Sequence, residues 1–530
     1  MKNKLLLSLA ALCALVLSSC GSDVDYAKFI PKEAAVVGRI DVAQIADKGD
    51  FADNEKLTEI LKKSIKESQL SAKGKIVAEK IVSDPAMTGI DLRKPIFFYY
   101  STDATGDHSG IVATVLNRSD LTNFVNYLSK EDGGEQAQEY KGITYMGDDD
   151  ILLAFNDEWL VFKDTHATHA HEAIDLLLSR EALTPEQTVA SVAGYKRMIE
   201  GDGIASLVVR GEILAKAMSE TNNRYDISQA YQDMANYDYI FDLDAEDGRL
   251  GLDMETFAST DEGQRKLRET KKMFSEIQGE YADYVDKDAL LSVVSNFNGK
   301  EIIKFVEQNG LPEEQIRSFR PYIEALNGDA VFTLNALKAN LNGLDYRMFA
   351  HLSNPQPYLA LKSQITDAMG VNEYATNEFS LSLGSLVSTA DVVSEMGLAD
   401  ENAAPNNGNI MLYFGVHNSS SLFGSFSVSS NAFDKVANPL PKDNYHGRIA
   451  YIRLNSTNAL DVIKLISKNT GTDSDYESKI GLHILGLIDY IDLYATTDSK
   501  GRINVVMRDK DQNALATLVG ELSTIVSIFN

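Results

Sequence analysis

The densest group of metal-binding side chains in this 530-residue sequence is a run of three histidines, His166, His169 and His171, preceded by Asp164. Imidazoles beside carboxylates suit Zn²⁺ or Cu²⁺. On a helix His166 and His169 would share a face, whereas in a strand His169 and His171 would, so neither regular conformation brings all three together. We therefore consider two hypotheses, a metal-handling site and a polar turn that leads from a strand into a helix.

A second acidic stretch, Asp242–Gly248, superficially resembles a calcium-binding loop. An EF-hand requires glycine at position six, but Gly248 is the seventh residue from Asp242. A hairpin turn between alternating apolar runs accounts for Asp247-Gly248, and also for Lys500-Gly501 further along the chain. The triplet Asp148–Asp150 is likewise interpreted as a solvated turn.

The local motifs of common enzyme classes do not occur. The sequence has no phosphate-binding Gly-Lys-Ser/Thr loop, no GxGxxG after a strand and no GxSxG nucleophile turn. The zinc-hydrolase signature fails because Asp175 stands where its second histidine should be. We predict a non-enzymatic protein with no cofactor. A hydrolase acting on glycans or envelope polymers stays open, since distant carboxylates or a triad assembled in space leave no local pattern.

The N-terminus predicts export and lipid attachment. Lys2 and Lys4 precede an apolar run, Leu5–Leu17, which is too short to span a bilayer and ends in Leu-Ser-Ser-Cys. This ending resembles a lipobox, so residues 1–19 are predicted as a lipoprotein signal peptide. Cys20 is the predicted lipid attachment site, and residues 20–25 are the tether. Acyl chains enter a bilayer at about 0.8 kcal/mol per buried methylene, which makes a multiply acylated cysteine a durable membrane anchor.

The residues after Cys20 bear on location. Gly21 stands where many Gram-negative lipoproteins carry the Asp that retains them at the inner membrane, and Ser22–Asp25 partly matches an acidic surface-export signal. These residues predict an outer-membrane lipoprotein of the cell envelope. Whether the protein faces the periplasm or the cell surface is left open.

Composition limits both the chemistry and the partners. Cys13 and Cys20 are the only cysteines, so the mature protein would contain no disulfide and no thiolate metal site. The formal net charge of −27 disfavours nucleic acid as a partner. The expected partner is the membrane, through the Cys20 lipid, and a protein or glycan partner is undetermined.

An internal repeat organises the rest of the sequence. Four segments recur in the same order at offsets of 255, 237, 245 and 253 residues. The pairs are Phe29–Ala34 with Tyr284–Ala289, Val112–Asn117 with Phe349–Asn354, Ile204–Val209 with Ile449–Leu454, and Tyr237–Met254 with Tyr490–Met507. The repeat predicts two tandem related modules, residues 26–280 and 281–530.

Local patterns predict the elements of each module. Leu121, Phe124, Val125 and Leu128 form one stripe of an amphipathic helix, with Ser119 or Asp120 as its N-cap. Short apolar strands and hairpin turns surround such helices. The predicted fold class is α+β, in which each module is an antiparallel sheet with helices packed on one face.

Aromatic residues offer one further candidate site. Phe97–Tyr100 is predicted to be a buried strand, and Trp159 begins another. Tyr225, Tyr231, Tyr237 and Tyr239 could line a groove or pack at the rim of the core. A binding protein should expose an apolar or aromatic patch.

The lipobox, the strand opening Ile30-Pro31-Lys32-Glu33-Ala34 and the length of the chain together resemble the Bacteroidetes lipoproteins of domain-of-unknown-function family 4836. The resemblance covers nearly the whole mature chain. It implies an envelope address and an α+β fold, and it carries no assigned activity and no catalytic residues.

Overall fold

The structure is a computed structural model that describes residues 25–51, 54–68, 71–103, 106–131, 135–147, 151–164, 169–213, 215, 233–308, 312–336, 345–366, 371–382, 411–427, 433–470, 476–496 and 499–521. The predicted signal peptide, Cys20, His166, Asp148–Asp150, Tyr225 and Tyr231 lie outside these ranges. The described chain divides into two compact units, one of residues 25–263 with 509–521 and one of residues 264–508. The proposed repeat boundary at residue 280 stays a prediction about sequence relatedness.

The first unit is built on an antiparallel sheet. Its strands, in chain order, are β1 Val36–Ile40, β2 Ile96–Asp103, β3 Gly106–Thr114, β4 Gln138–Tyr140, β5 Ile143–Gly147, β6 Ile151–Phe155, β7 Trp159–Asp164, β8 Ala205–Arg210, β9 Tyr237–Glu246 and β10 Arg249–Ala258. Hydrogen-bonded neighbours follow the order β4-β5-β6-β7-β3-β2-β1-β8-β9-β10.

The second unit repeats this topology. Its strands are β11 Leu291–Asn298, β12 Leu326–Ala336, β13 Asp345–Leu352, β14 Val371–Ala375, β15 Glu378–Ser382, β16 Met411–His417, β17 Ser421–Ser427, β18 Ala450–Asn455, β19 Ile488–Ala495 and β20 Lys500–Met507. Their order is β14-β15-β16-β17-β13-β12-β11-β18-β19-β20, which equals the first order with ten added to each number.

Helices connect the strands. In the first unit they are Val42–Lys48, Glu55–Glu67, Ala72–Ser83, Arg118–Glu131, Ala170–Arg180, Ala193–Glu200 and Ala514–Gly520. Helix Asp261–Lys272 carries the chain into the second unit, whose helices are Gly299–Gln308, Glu313–Ile316, Arg320–Ala325, Gln356–Leu359, Lys362–Thr366, Ser456–Thr470 and Tyr476–Leu487. Short 3₁₀ turns, Tyr26–Lys28 and Ala282–Tyr284, precede β1 and β11.

The α+β class with antiparallel sheets is confirmed, but helices cover both faces of the first sheet rather than one. Val161 packs in a core that includes Ile174 of helix Ala170–Arg180. Its neighbour Leu160 points to the other side and packs with Leu121 of helix Arg118–Glu131. The strands are apolar on both sides, so burial requires a cover on each face.

Local capping explains where several helices begin. The side chains of Asp41, Asn54 and Ser71 accept the hydrogen bond of a backbone N–H in the first turn of their helices. For helix Arg118–Glu131 the capping side chain is Asn117, which accepts from the N–H groups of Ser119 and Asp120. The prediction that Ser119 or Asp120 forms the cap was therefore wrong by two or three residues.

Of the two predicted hairpin turns, the first lies where it was predicted and the second does not. Asp247 and Gly248 form the two-residue connection between β9 and β10, and Gly248 has the left-handed φ of 63° that such turns require. Lys500 and Gly501 lie within β20 instead, and Ser499 adopts φ of 63°. The second turn was thus predicted too late in the chain.

Candidate functional site: an apolar cavity in the second unit

Corresponding residues of the two sheets form matching apolar rows on the face opposite the main cores. In the first unit Phe162, Ile111, Phe98, Gly38 and Leu207 are successive register partners on β7, β3, β2, β1 and β8. In the second unit the row at the same strand positions is Gly424, Met348, Phe332, Val293 and Ile452. Ile111 and Met348 are both 41% exposed, so this face is apolar and partly accessible in each unit.

The first unit fills part of this face with its own helix. Helix Arg118–Glu131 directly follows β3 and packs Leu121 and Val125 against Phe155 and Leu160 of the sheet. These four side chains are buried. The arrangement is a satellite core sealed by side chains of the chain itself.

The second unit leaves space at this location. The chain after β13 forms two short helices, Gln356–Leu359 and Lys362–Thr366, instead of one long helix. Tyr358 and Leu359 pack against Val416 and Leu422, as the longer helix does in the first unit. Beside them is a cavity of about 330 Å³, bounded by β13, β15, β16, β17 and residues 358–365.

The lining of the cavity is apolar. Leucine, isoleucine, valine, methionine and phenylalanine side chains dominate it, and Lys362 and Asn377 are its charged and amide-bearing residues. Two tyrosines also contribute. Burial raises the pKa of Tyr346 above its ordinary value, and burial, followed by the neighbouring Tyr322, raises the pKa of Tyr358 to about 12. The Tyr358 hydroxyl donates to the Tyr322 carbonyl at 3.1 Å, so it is held in place by the protein.

Gly424 opens the cavity at its sheet wall. It lies opposite Met348, at the register position where the first unit pairs Phe162 with Ile111. Among the described residues, a Cβ added to Gly424 would have only Met348 Cε within 4 Å, at 3.5 Å. A side chain at residue 424 would therefore extend into the cavity without a backbone clash.

A polar rim closes one side of the cavity. Lys362 Nζ lies 2.6 Å from Glu373 Oε1, and the same oxygen accepts the Asn377 backbone N–H at 2.9 Å. The hydrogen bond from Lys362, followed by that from Asn377, lowers the pKa of Glu373. Asn377 has a left-handed φ of 64° in the turn before β15, and this turn aims its N–H at the carboxylate.

The described histidines of the predicted metal cluster have other neighbours. His169 is exposed and occupies the N-cap position of helix Ala170–Arg180. His171 stacks on Tyr140 with ring centroids 4.0 Å apart, and its Nε2 lies 2.9 Å from the Tyr145 hydroxyl. Within the described ranges, no group of three or more His, Cys, Asp or Glu residues is arranged to hold a metal. Because His166 lies outside those ranges, the three-histidine hypothesis stays a prediction.

The carboxylates that we singled out by sequence have structural partners. Asp164 accepts hydrogen bonds from the backbone N–H and the hydroxyl of Ser109. Asp242 accepts from the Ser206 hydroxyl at 2.5 Å and from the Gly203 N–H at 3.3 Å. Tyr237 and Tyr239 are in ring contact at 6.4 Å, and their predicted partners Tyr225 and Tyr231 are not described.

Sequence reasoning missed the cavity residues. Its one available signal is that β13 and β16 carry apolar side chains at successive positions, so these strands are apolar on both faces. The Ser/Asn-rich segment Asn418–Asn431 contains β17 and Gly424, and its polar composition gives no sign of an apolar cavity wall. Both observations depend on which strands become neighbours, which the sequence does not state.

The fold and this site define an α+β protein with a partly open apolar cavity in its second unit. No described helix is long and apolar enough to cross a membrane. The family model named "Domain of unknown function (DUF4836)" matches residues 26–515, and the chain belongs to this family.

Solved structures offer only distant similarity. Crystal form IV of TP0453 is 15% identical, with a TM-score of 0.25, and the match covers 44% of this chain and 81% of that one. Crystal form III of TP0453 is 12% identical, with a TM-score of 0.26, and the match covers 48% and 89% of the two chains. No curated protein sequence matches the chain.

Proposed function

We propose that this protein is a non-enzymatic, lipid-anchored binding protein of the cell envelope that holds a hydrocarbon ligand in the cavity of its second unit. The observation that carries the proposal is the apolar cavity of about 330 Å³ beside the two short helices that follow β13. An apolar ligand group suits such a wall, because the burial of apolar surface is the main favourable contribution to the binding free energy there.

The size and lining of the cavity favour a chain-like ligand. The volume is near the lower end of the range for small-molecule sites, which suits one alkyl chain better than a ring system or a diacyl lipid. Each methylene removed from water would contribute about 0.8 kcal/mol. A short chain would therefore bind with useful affinity before any polar contact is added.

The envelope location is part of the proposal and rests on sequence. The charged head at Lys2 and Lys4, the apolar run and the lipobox at Cys20 support export and acylation. We place the protein at the outer membrane on the evidence of Gly21. A lipid anchor would hold the cavity close to a source of hydrocarbon ligands.

We also propose that the two units are related modules. Four sequence landmarks recur in order: one pair lies in the turns just before β1 and β11, and the other three pairs fall on strands with equivalent places in the two sheets. In this interpretation the two modules share a fold, and the second has two short helices where the first has one long helix. The hydrolase and metal-handling hypotheses stay predictions.

A fluorescent alkyl probe, displaced by decanol, tests the proposed ligand class on the full mature chain. Wild-type protein should bind the probe, and Gly424→Phe should lose binding because the phenyl ring occupies the cavity. Gly520→Phe is the matched control, since a Cβ at Gly520 meets no described atom within 4 Å and lies in the first unit. Absence of binding by folded wild-type protein, or equal binding by Gly424→Phe, would refute the proposal.

A further inference from the structure

Two hydrogen-bond donors at the rim of the cavity already hold a carboxylate. Lys362 Nζ and the Asn377 backbone N–H converge on one oxygen, Glu373 Oε1, at 2.6 and 2.9 Å. Lys362 and Asn377 both line the cavity. The carboxylate of Glu373 therefore occupies a two-donor anion site that opens on apolar space.

The ion pair at the rim is exposed enough for another anion to replace the Glu373 carboxylate. The side chains of Lys362 and Glu373 are 41% and 30% exposed. An ion pair at this exposure is weak, since solvent screens it and both side chains lose freedom when they pair. An incoming anion could therefore share Lys362 with Glu373 or displace it at modest cost.

From this geometry we infer that the ligand is a single-chain amphiphile with an anionic head group, a carboxylate being the simplest. The tail lies against the wall formed by Met348, Gly424 and Phe414, and the head pairs with Lys362 at the rim. This inference rests on the proposed function and adds the head-group chemistry to it.

Among the described lining residues, a single local cation favours an anionic head group at the rim, against the net charge of the chain. The whole chain carries a formal net charge of −27, which opposes the approach of anions. Lys362 is the cation in the cavity lining, and it stands where a head group would emerge. A neutral amphiphile would leave the ion pair of Lys362 and Glu373 untouched and would gain nothing from it.

Decanoate and decanol form a matched pair of probes, because they share a tail and differ in the charge of the head group. Titration calorimetry on the full mature chain should show that Lys362→Gln weakens decanoate binding about two- to fivefold, the range expected for a partly exposed ion pair. Decanol binding should not change. Glu373→Gln should tighten decanoate binding by a similar factor, because it removes the competing carboxylate.

Lys435→Gln is the control for loss of a surface lysine. Lys435 pairs with Asp283 at an exposed site in the same unit and does not line the cavity. This variant should leave the affinities for both probes unchanged. Thermal melts of the four proteins establish that each variant is folded before its affinity is compared.

The outcomes separate the two claims. If neither probe binds, the proposed function fails. If both probes bind but Lys362→Gln affects them equally, or affects neither, the apolar cavity stands and the anionic head group is wrong. Raised salt should weaken the binding of decanoate and not that of decanol, and equal salt dependence would also contradict the inference.

Discussion

Gly424 of β17 lies directly opposite Met348 of β13, and this pairing leaves open the wall of the cavity in the second unit. The first unit has Phe162 opposite Ile111 at the same place in an identical strand order. One missing side chain, together with two short helices in place of one long helix, thus distinguishes this face of the second unit from that of the first.

Filling the cavity should stabilise the second unit. Gly424→Val adds apolar contacts to open space and reduces the freedom of the unfolded chain, so we expect a gain of roughly 1 kcal/mol. Differential scanning fluorimetry would show it as a higher unfolding midpoint.

Gly38→Val should have the opposite effect on the unfolding midpoint. Gly38 occupies the matching row of the first unit, and an added Cβ would lie 2.0 Å from Phe98 Cζ. We expect a lower midpoint for this variant. A higher midpoint for Gly38→Val, or a lower one for Gly424→Val, would contradict our assignment of filled and open positions.

Leu121→Ala should destabilise the first unit by about 2–5 kcal/mol, because Leu121 is 1% exposed and its truncation leaves a void beneath helix Arg118–Glu131. Leu128→Ala, in the same helix, is the matched control. Leu128 is 48% exposed despite its place in the predicted apolar stripe, so the change should stay within about 0.5 kcal/mol. Urea unfolding followed by circular dichroism measures both, and equal losses would refute the assigned orientation of the helix.

Asp238→Asn should raise the unfolding midpoint at pH 7 and raise it less near pH 4. Burial raises the pKa of Asp238 above its ordinary value of 3.8 in the folded state. The nearby Arg210 lowers this pKa and Glu212 raises it, but burial is the largest effect. A raised folded-state pKa favours folding at low pH, and this contribution is lost as pH rises through the native pKa. The amide removes the cost of the buried charge above that pKa. Melts across this pH range check the sign, and a benefit that is larger at pH 4 would contradict it.

Cys20→Ala should release the protein from the membrane fraction and abolish its acylation, because Cys20 is the proposed lipid attachment site. Fractionation with metabolic labelling by a fatty acid measures both effects. Digestion of the wild-type protein by protease on intact cells would indicate a surface location, and protection until the outer membrane is breached would indicate the periplasm. A variant that remained membrane-bound and labelled would overturn the lipoprotein assignment.

Local sequence was sufficient for elements whose stability is local. The turn at Asp247-Gly248 needs a residue with positive φ between two alternating strands, and both requirements are visible in the sequence. Helix Arg118–Glu131 follows from the spacing of Leu121, Phe124 and Val125. Three of the four landmark pairs lie on equivalent strands, and the fourth lies just before β1 and β11.

The cavity was decided by tertiary structure alone. Gly424 sits in a Ser/Asn-rich stretch and faces Met348 only after β17 pairs with β13, which it follows by more than seventy residues. A strand that is apolar on both faces shows no alternation of apolar and polar residues. Its sequence therefore does not indicate which face a helix will cover. The sequence by itself determined the α+β class. Strand register and the length of the covering helix, which arise from contacts between distant residues, determined where the apolar cavity lies.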